Sequence, residues 1–106
     1  MRKKSIIRYE YITPAIVCRA PWRLTTVKPM EGYQLAVEFV DGTQGVVEME
    51  ALIVSDHAGV FAQLKDIDVF KQAYILHGAV TWPGGIDLAP DVMHDEIKQQ
   101  GKWILK

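Results

Sequence analysis

The sequence predicts a small α+β domain in which an antiparallel sheet of two β-hairpins is covered by short helices and followed by a C-terminal helix. Apolar and polar residues alternate before Asp41-Gly42, and short apolar runs flank Gly78, as expected for hairpins. The segment after Pro90 is typical of a helix, because proline suits the first helical position. At 106 residues the chain has the length of one domain.

The composition is that of a soluble globular protein, with 49% apolar and 24% charged residues. No apolar run approaches the ~20 residues of a membrane span, and Arg8 interrupts the apolar pair Ile6-Ile7 where a secretory signal would continue. Cys18 is the single cysteine, so we expect no internal disulfide and a small buried side chain at that position. These features predict a protein of the reducing cytoplasm without membrane contact.

Charge is unevenly distributed, although the net charge of the chain is only −1. Residues 1–23 contain six basic residues and one acidic residue, which gives +5, whereas the remainder contains six lysines and twelve acidic residues, which gives −6. Pro14 and Pro21 argue against a long helix near the N-terminus. We therefore predict a basic extension with strand character over residues 1–21 and a single α+β domain over residues 22–106.

The first hairpin is predicted from residues 33–40 and 43–49, which Asp41-Gly42 joins. Its first strand alternates between apolar and polar residues, as a half-buried strand does. Glycine after aspartate favours a hairpin turn, because it adopts a positive φ without steric cost. The β-branched segment 23–28 precedes this hairpin and predicts a further strand.

Two loop lengths give this hairpin different registers, and a shift of one residue exchanges the two faces of a strand. A two-residue loop places Leu35 opposite Glu48, so that an apolar side chain meets a charged one. A three-residue loop with a bulge places Val47 beside Val37 and Met49 beside Leu35, which buries more apolar surface. We therefore expect the bulged loop.

Short helices are predicted between the two hairpins. Residues 50–54 suit a helical turn, and Ser55-Asp56 offers an N-cap for a short helix through residues 59–65. Asp66 or Asp68 is expected to cap another brief turn. We expect the apolar residues of these segments to cover the sheet as part of the core.

The second hairpin is predicted from residues 74–77 and 79–82, with Gly78 between them and a turn at Pro83-Gly84-Gly85 after them. This turn is too short to cradle a phosphate and lacks the lysine and hydroxyl residue that follow in phosphate-binding loops. Its glycines and proline are therefore expected to set the direction of the chain.

The last helix is predicted to begin at Pro90 and to end at Gly101, because proline suits a helix start and glycine a helix end. We expect Val92, Met93 and Ile97 to share its apolar side. The short tail that follows is apolar enough to pack on the domain.

No set of residues has the spacing of a catalytic or metal site. His57, His77 and His94 are 20 and 17 residues apart, without the helical spacing that pairs of metal ligands use. His94 is close in sequence to Asp91 and Asp95, on the side of the last helix that we expect to face solvent. We therefore assign no metal, no cofactor and no catalytic residue, and we expect that the protein is not an enzyme.

Four residues form a candidate interaction site: Trp82, Asp87, Asp91 and His94. Trp82 is either a core residue or an exposed anchor, since tryptophan is frequent in both settings. Asp87 and Asp91 have the chemistry of paired acid–base carboxylates, but structural roles in a turn and at a helix N-terminus explain them better, because no nucleophile or base is marked nearby.

The basic residues Arg2, Lys3, Lys4 and Arg8 are candidate contacts for phosphate groups, with neighbouring tyrosines available for stacking on bases. The alternative is a solvated terminus that has no partner. Nucleic acid is therefore expected as a ligand only through this N-terminal arm.

Three motifs follow one another along the chain: Phe39-x-Asp41-Gly42, then Gly59-Val-Phe61-x-x-Leu64-x-Asp66-x-x-x-Phe70, and then Gly78-x-x-x-Trp82-Pro-x-Gly85-x-Asp87-Leu-x-Pro90-Asp91. This ordered combination resembles the bacterial domain of unknown function 2442 (DUF2442) family over residues 22–99. Gly84 departs from the polar turn residue that the family more often has at that position.

The resemblance implies a small α+β domain without an established activity. Members of the family are often encoded beside small toxin-like proteins of the RelE type, so an antitoxin role is one expectation. The N-terminal extension lies outside the shared region and inherits nothing from the resemblance.

We therefore expect a protein-interaction module, whose acidic domain suits the basic surface of a small ribonuclease-like toxin. One alternative is a nucleic-acid-binding accessory protein or autorepressor that uses the basic arm. Another is a small ligand-binding protein or enzyme with its site in the region from Trp82 to His94. The sheet edges that two hairpins leave free also predict a homodimer.

Overall fold

The computed structural model describes residues 20–106. The predictions for Cys18, for Arg2, Lys3, Lys4 and Arg8, and for strand character before residue 20 lie outside these residues. The strands are β1 (Leu24–Met30), β2 (Gln34–Phe39), β3 (Gln44–Glu48), β4 (Tyr74–Leu76), β5 (Ala79–Trp82), β6 (Ile86–Asp87) and β7 (Lys102–Ile104). The helices are α1 (Glu50–Ile53), a 3-10 helix (Gly59–Lys65), α2 (Ile67–Phe70) and α3 (Pro90–Gln100). The predicted α+β class is confirmed.

The strands form two sheets, and each predicted hairpin is part of one of them. The four-stranded sheet has the order β1-β2-β3-β7, and the three-stranded sheet has the order β4-β5-β6. All neighbouring strands are antiparallel except β7, which runs parallel to β3 because α3 carries the chain back between them. The sheets meet where the Leu24 backbone N–H donates a hydrogen bond of 2.9 Å to the Gly78 carbonyl.

The β2–β3 hairpin has a three-residue loop, as predicted, but its register differs from the expected one. Leu35 pairs with Val47, and Val37 pairs with Gly45. The expected pairing was wrong because the loop begins one residue earlier, at Val40. Gly42 closes it with φ +88° and an N–H that donates to the Phe39 carbonyl. The two registers differ by two residues, so the predicted apolar face is retained.

Helix α3 packs on the core face of β3 at a glycine. A Cβ atom on Gly45 would lie 2.5 Å from Ile97 Cγ2 and 2.7 Å from the Gly101 carbonyl oxygen. Gly101 ends the helix as predicted, with φ +81°. On the helix, Met93 and Ile97 are buried, but Val92 is 44% exposed, so the expectation that Val92 belongs to the apolar side was wrong.

The two sheets and the short helices share one core, and Trp82 and Phe70 lie at the centre of its aromatic part. Both side chains are fully buried, with ring centroids 6.0 Å apart, and the Trp82 indole N–H donates to the Phe70 carbonyl at 2.9 Å. Tyr33 packs edge-on against Phe70, and its hydroxyl donates to the Lys65 carbonyl at 2.5 Å. The helical segments therefore cover the sheet, as predicted.

The caps of these segments follow the prediction only in part. The Asp66 carboxylate accepts a hydrogen bond of 3.0 Å from the Asp68 backbone N–H and caps α2, as expected. The 3-10 helix instead begins after Ala58 without a side-chain cap, so the N-cap expected at Ser55-Asp56 was wrong.

Candidate interaction surface

One face of the four-stranded sheet packs on the core, and the other forms what we call the open face. Successive side chains of a strand point to opposite faces, so the strand pairing fixes the members of each. None of the open-face residues is buried. They are Thr26, Lys28, Met30, Gln34, Ala36, Glu38, Gln44, Val46, Glu48, Lys102 and Ile104.

A shallow depression of about 450 Å³ lies on the open face. Ala36 and Val46 are paired across β2 and β3 and supply apolar side chains to its lining. Lys28 and Glu38 line it as well. An apolar centre with charged residues around it has the composition of a protein-binding surface.

The strands at the two edges of this sheet complete the open face. At the β7 edge, Lys102 Nζ lies 3.9 Å from Glu48 Oε2, and the apolar Ile104 is 39% exposed. At the β1 edge, Thr26 and Lys28 lie on the open face as well, because they pair with Glu38 and Ala36 of β2. Both edge strands therefore add surface to a patch that crosses the whole sheet.

A polar pair lies at the tip of the β2–β3 hairpin. His94 of α3 is 7% exposed, and its Nε2 donates a hydrogen bond of 2.9 Å to Asp41 Oδ2. The imidazole ring also packs edge-on against Phe39, with centroids 4.8 Å apart. The expectation of a solvated His94 was wrong, because a carboxylate from a distant hairpin satisfies the ring nitrogen and allows its burial.

The hydrogen bonds at this tip favour the charged form of Asp41. The Thr43 backbone N–H donates to Asp41 Oδ1 at 2.9 Å, and this bond, followed by the bond from His94, holds the pKa of Asp41 well below its ordinary value. Lys98 Nζ lies 3.9 Å from Asp41 Oδ2 and adds a second positive charge. The cluster joins α3 to the hairpin tip, which gives it a structural role.

The four residues of the predicted interaction site lie in different environments. Trp82 is fully buried and belongs to the core, whereas Asp87 and Asp91 are exposed. In the described chain, no hydrogen bond or ion pair connects Asp87, Asp91 and His94 with one another. A role of the two exposed carboxylates in partner binding stays a prediction.

The remaining histidines are separate from each other. His57 Nε2 lies 3.0 Å from the Lys106 carbonyl oxygen, and His77 lies in the β4–β5 turn with φ +52°. Over residues 20–106, no group of three or more His, Cys, Asp or Glu side chains is arranged to hold a metal ion.

Comparison with known families identifies the shared part of the chain. A family model described as a protein of unknown function (DUF2442) matches residues 24–99. The chain belongs to this family. In this DUF2442 protein the match begins with β1 and ends in the last turn of α3, so β7 lies after it. No curated protein and no solved structure matches the chain significantly.

None of the helices in the described part has the length and apolar character that a membrane crossing needs.

The open face is the surface that our sequence reasoning missed. The alternation in β2 was used to find the buried face, yet the same period assigns Ala36 and Glu38 to the opposite one. Val46 in β3 was a further signal, because it is an apolar residue on the side away from the core. The contribution of β7 to the open face could not be read from the sequence, because Lys102 and Ile104 lie on this face only through the pairing of β7 with β3.

Proposed function

We propose that this DUF2442 protein is a non-catalytic protein-interaction module that binds its partner on the open face. The open face supports this proposal most strongly, because it is a broad sheet surface that no other element of residues 20–106 covers, with Ala36 and Val46 at its centre. Charged side chains, including those of Lys28 and Glu38, surround this centre and would orient a bound partner.

The charge of the domain suggests a basic partner. Residues 20–106 contain seven basic and twelve acidic residues, which gives a charge of −5. Opposite charge accelerates association and selects partners. We therefore propose, as the more specific form of this function, that the partner is a small basic toxin of the RelE type and that the protein acts as its antitoxin. The family resemblance supports this choice, since related proteins are often encoded beside such toxins.

The test uses two valine-to-lysine substitutions that differ only in their location. Val46→Lys places a charge in the centre of the open face, and Val60→Lys places the same charge on the 3-10 helix, where Val60 is 58% exposed. The full chain is expressed with the product of the neighbouring gene, which this proposal expects to be the toxin, and growth, co-purification and the dissociation constant are measured. We expect Val46→Lys to weaken binding at least about tenfold, since a charge then lies unpaired in the interface.

Each outcome of this experiment has a separate meaning. Loss of binding and of growth rescue with Val46→Lys, but not with Val60→Lys, supports the open face as the binding surface. Equal binding by both variants and the unmodified protein would reject that surface. A protein that neither binds the toxin nor restores growth would reject the antitoxin role itself.

Other expectations concern partners that the described residues do not test. Binding of nucleic acid through Arg2, Lys3, Lys4 and Arg8, dimerisation and a cytoplasmic location stay predictions. Nucleic-acid binding that falls steeply with salt and is lost when these four residues are replaced by glutamine would support the arm as a second binding surface. Binding that survives this replacement would exclude it.

A further inference from the structure

We infer that residues 1–19, which we call the basic arm, dock on the open face of their own domain and compete there with the partner. The competition rests on the proposed function, whereas the docking does not. Three observations carry the docking: the place at which the chain enters the domain, the length of the arm, and its charge and apolar content.

The chain enters the domain beside one end of the open face. The Ala20 carbonyl accepts a hydrogen bond of 3.0 Å from the Arg23 N–H, and the Arg23 carbonyl accepts one of 2.8 Å from the Val40 N–H. This turn places residue 20 next to the β2–β3 hairpin. The Thr25 hydroxyl donates to the Glu38 carbonyl at 3.2 Å, so Glu38 of the open face lies close to the entry point.

The arm is long enough to cross the open face. An extended chain covers at most ~3.3–3.6 Å per residue, so 19 residues reach roughly 60 Å. Four strands at spacings of about 4.8 Å are roughly 15 Å across, and a strand of the length of β1 is about 23 Å long. Residues well inside the arm can therefore reach every part of the depression from Ala20.

The composition of the arm fits the net charge of the domain and the apolar centre of the open face. The arm contains five basic residues and one acidic residue, a charge of +4 that opposes the −5 of the domain. On the open face, Glu38 has no ion-pair partner within residues 20–106, although it lines the depression. The isoleucines of the arm, including Ile6 and Ile7, are suited to the apolar centre at Ala36 and Val46.

A paramagnetic label on the arm tests the docking in the full chain. Cysteine is introduced by Ser5→Cys in a Cys18→Ser background and carries a nitroxide, and amide signals of the ¹⁵N-labelled protein are recorded. We expect strong loss of signal at Ala36 and Val46, and little loss at Gln63 and Gln99, which lie on the 3-10 helix and on α3. High salt is expected to restore the signals, because exposed charges are then screened.

A mixed sample separates docking on the same chain from docking on a second copy. Chains that carry the nitroxide but contain no ¹⁵N are mixed with ¹⁵N-labelled chains that carry no nitroxide. Unaffected ¹⁵N signals in this mixture, together with the loss described above, support docking within one chain. Broadening at Ala36 in the mixture would show that the arm of a second copy occupies the face and would overturn the inference. Uniform weak broadening in the first sample would also overturn it.

Binding of the toxin tests the competition. Replacement of Arg2, Lys3, Lys4 and Arg8 by glutamine in the full chain should release the open face and tighten toxin binding several-fold. Unchanged binding would reject the competition while the nitroxide experiment still decides the docking. Failure of every form of the chain to bind the toxin would reject the proposed function and leave the docking result unaffected.

Discussion

The two faces of the four-stranded sheet come from the same strands but have opposite environments. On the core face, Leu35 and Val47 are paired and fully buried. On the open face, the adjacent pair Ala36 and Val46 is partly exposed. The comparison shows that the alternation of side chains along the strands creates two different faces, whereas the packing of later elements of the chain determines which face is covered. Helix α3 covers the core face because Gly45 leaves space for it.

The largest expected effect distinguishes the faces by their contribution to stability. Leu35→Ala should lower the free energy of unfolding by roughly 2–5 kcal/mol, because it leaves a cavity in the core. Val46→Ala should change it by less than about 0.5 kcal/mol, as is usual for surface positions. Denaturant unfolding of both variants measures the difference. Similar losses for the two variants would contradict the assignment of Val46 to the face of the sheet that lies outside the packed core.

Gly45→Ala tests how closely α3 packs on the core face of the sheet, because it adds a single carbon atom between them. The added Cβ would meet the Gly101 backbone oxygen at 2.7 Å and the Ile97 side chain at 2.5 Å. We expect a loss of about 1–3 kcal/mol in the free energy of unfolding, since the helix must move away from the sheet. Gln44→Ala on the exposed neighbour is the control. A Gly45 variant as stable as this control would mean that α3 does not pack closely on β3.

The Asp41–His94 pair predicts how stability depends on pH at the hairpin tip. The pKa of Asp41 lies below its ordinary value of about 3.9, so its contribution is complete above pH ~4 and is lost as pH falls through the lowered pKa. Asp41→Asn keeps the turn acceptor but removes the charge. The variant should be less stable at neutral pH, and the difference should shrink below pH ~4.

Unfolding curves of wild type and Asp41→Asn between pH 7 and pH 2 measure this effect. Asp95→Asn, on an exposed position of the same helix that contains His94, controls for the general loss of a carboxylate. A difference that stays constant down to pH 2 would contradict the role assigned to the Asp41 charge.

The smallest expected effect lies at the β7 edge of the open face. Lys102 and Glu48 are exposed or half-exposed, and their charged atoms are 3.9 Å apart. Lys102→Ala should change the free energy of unfolding by less than about 1 kcal/mol, because solvent weakens such pairs. Thermal unfolding at low and high salt measures it. A larger loss would mean that the pair anchors β7 to β3.

Local patterns predicted the elements of this fold well. Alternation located the first hairpin, and the short apolar runs around Gly78 located the second. Pro90 and Gly101 located the ends of α3, and each of these signals depends on neighbouring residues only. The register of the first hairpin was harder to predict. A three-residue loop that begins at Val40 and one that begins at Asp41 leave the same face of the hairpin apolar. The structure distinguishes them, because the Val40 N–H bonds to the Arg23 carbonyl and not to β3.

Features that depend on distant residues could not be predicted from the pattern. His94 is buried only because Asp41, 53 positions earlier, supplies its hydrogen-bond partner. Three residues of β7 are too few to show a period, and their parallel pairing with β3 depends on the fold of α3. The residues of the open face could not be predicted for the same reason, because they depend on the register of β2 with β3 and on the pairing of β7 with β3.

The central claim is tested most directly by the dissociation constant of the full chain for the proposed partner, the product of the neighbouring gene. It is measured for the wild type, Val46→Lys and Val60→Lys. We predict a constant at least about tenfold higher for Val46→Lys than for the other two. Equal constants for the three proteins would contradict the claim that the open face binds the partner.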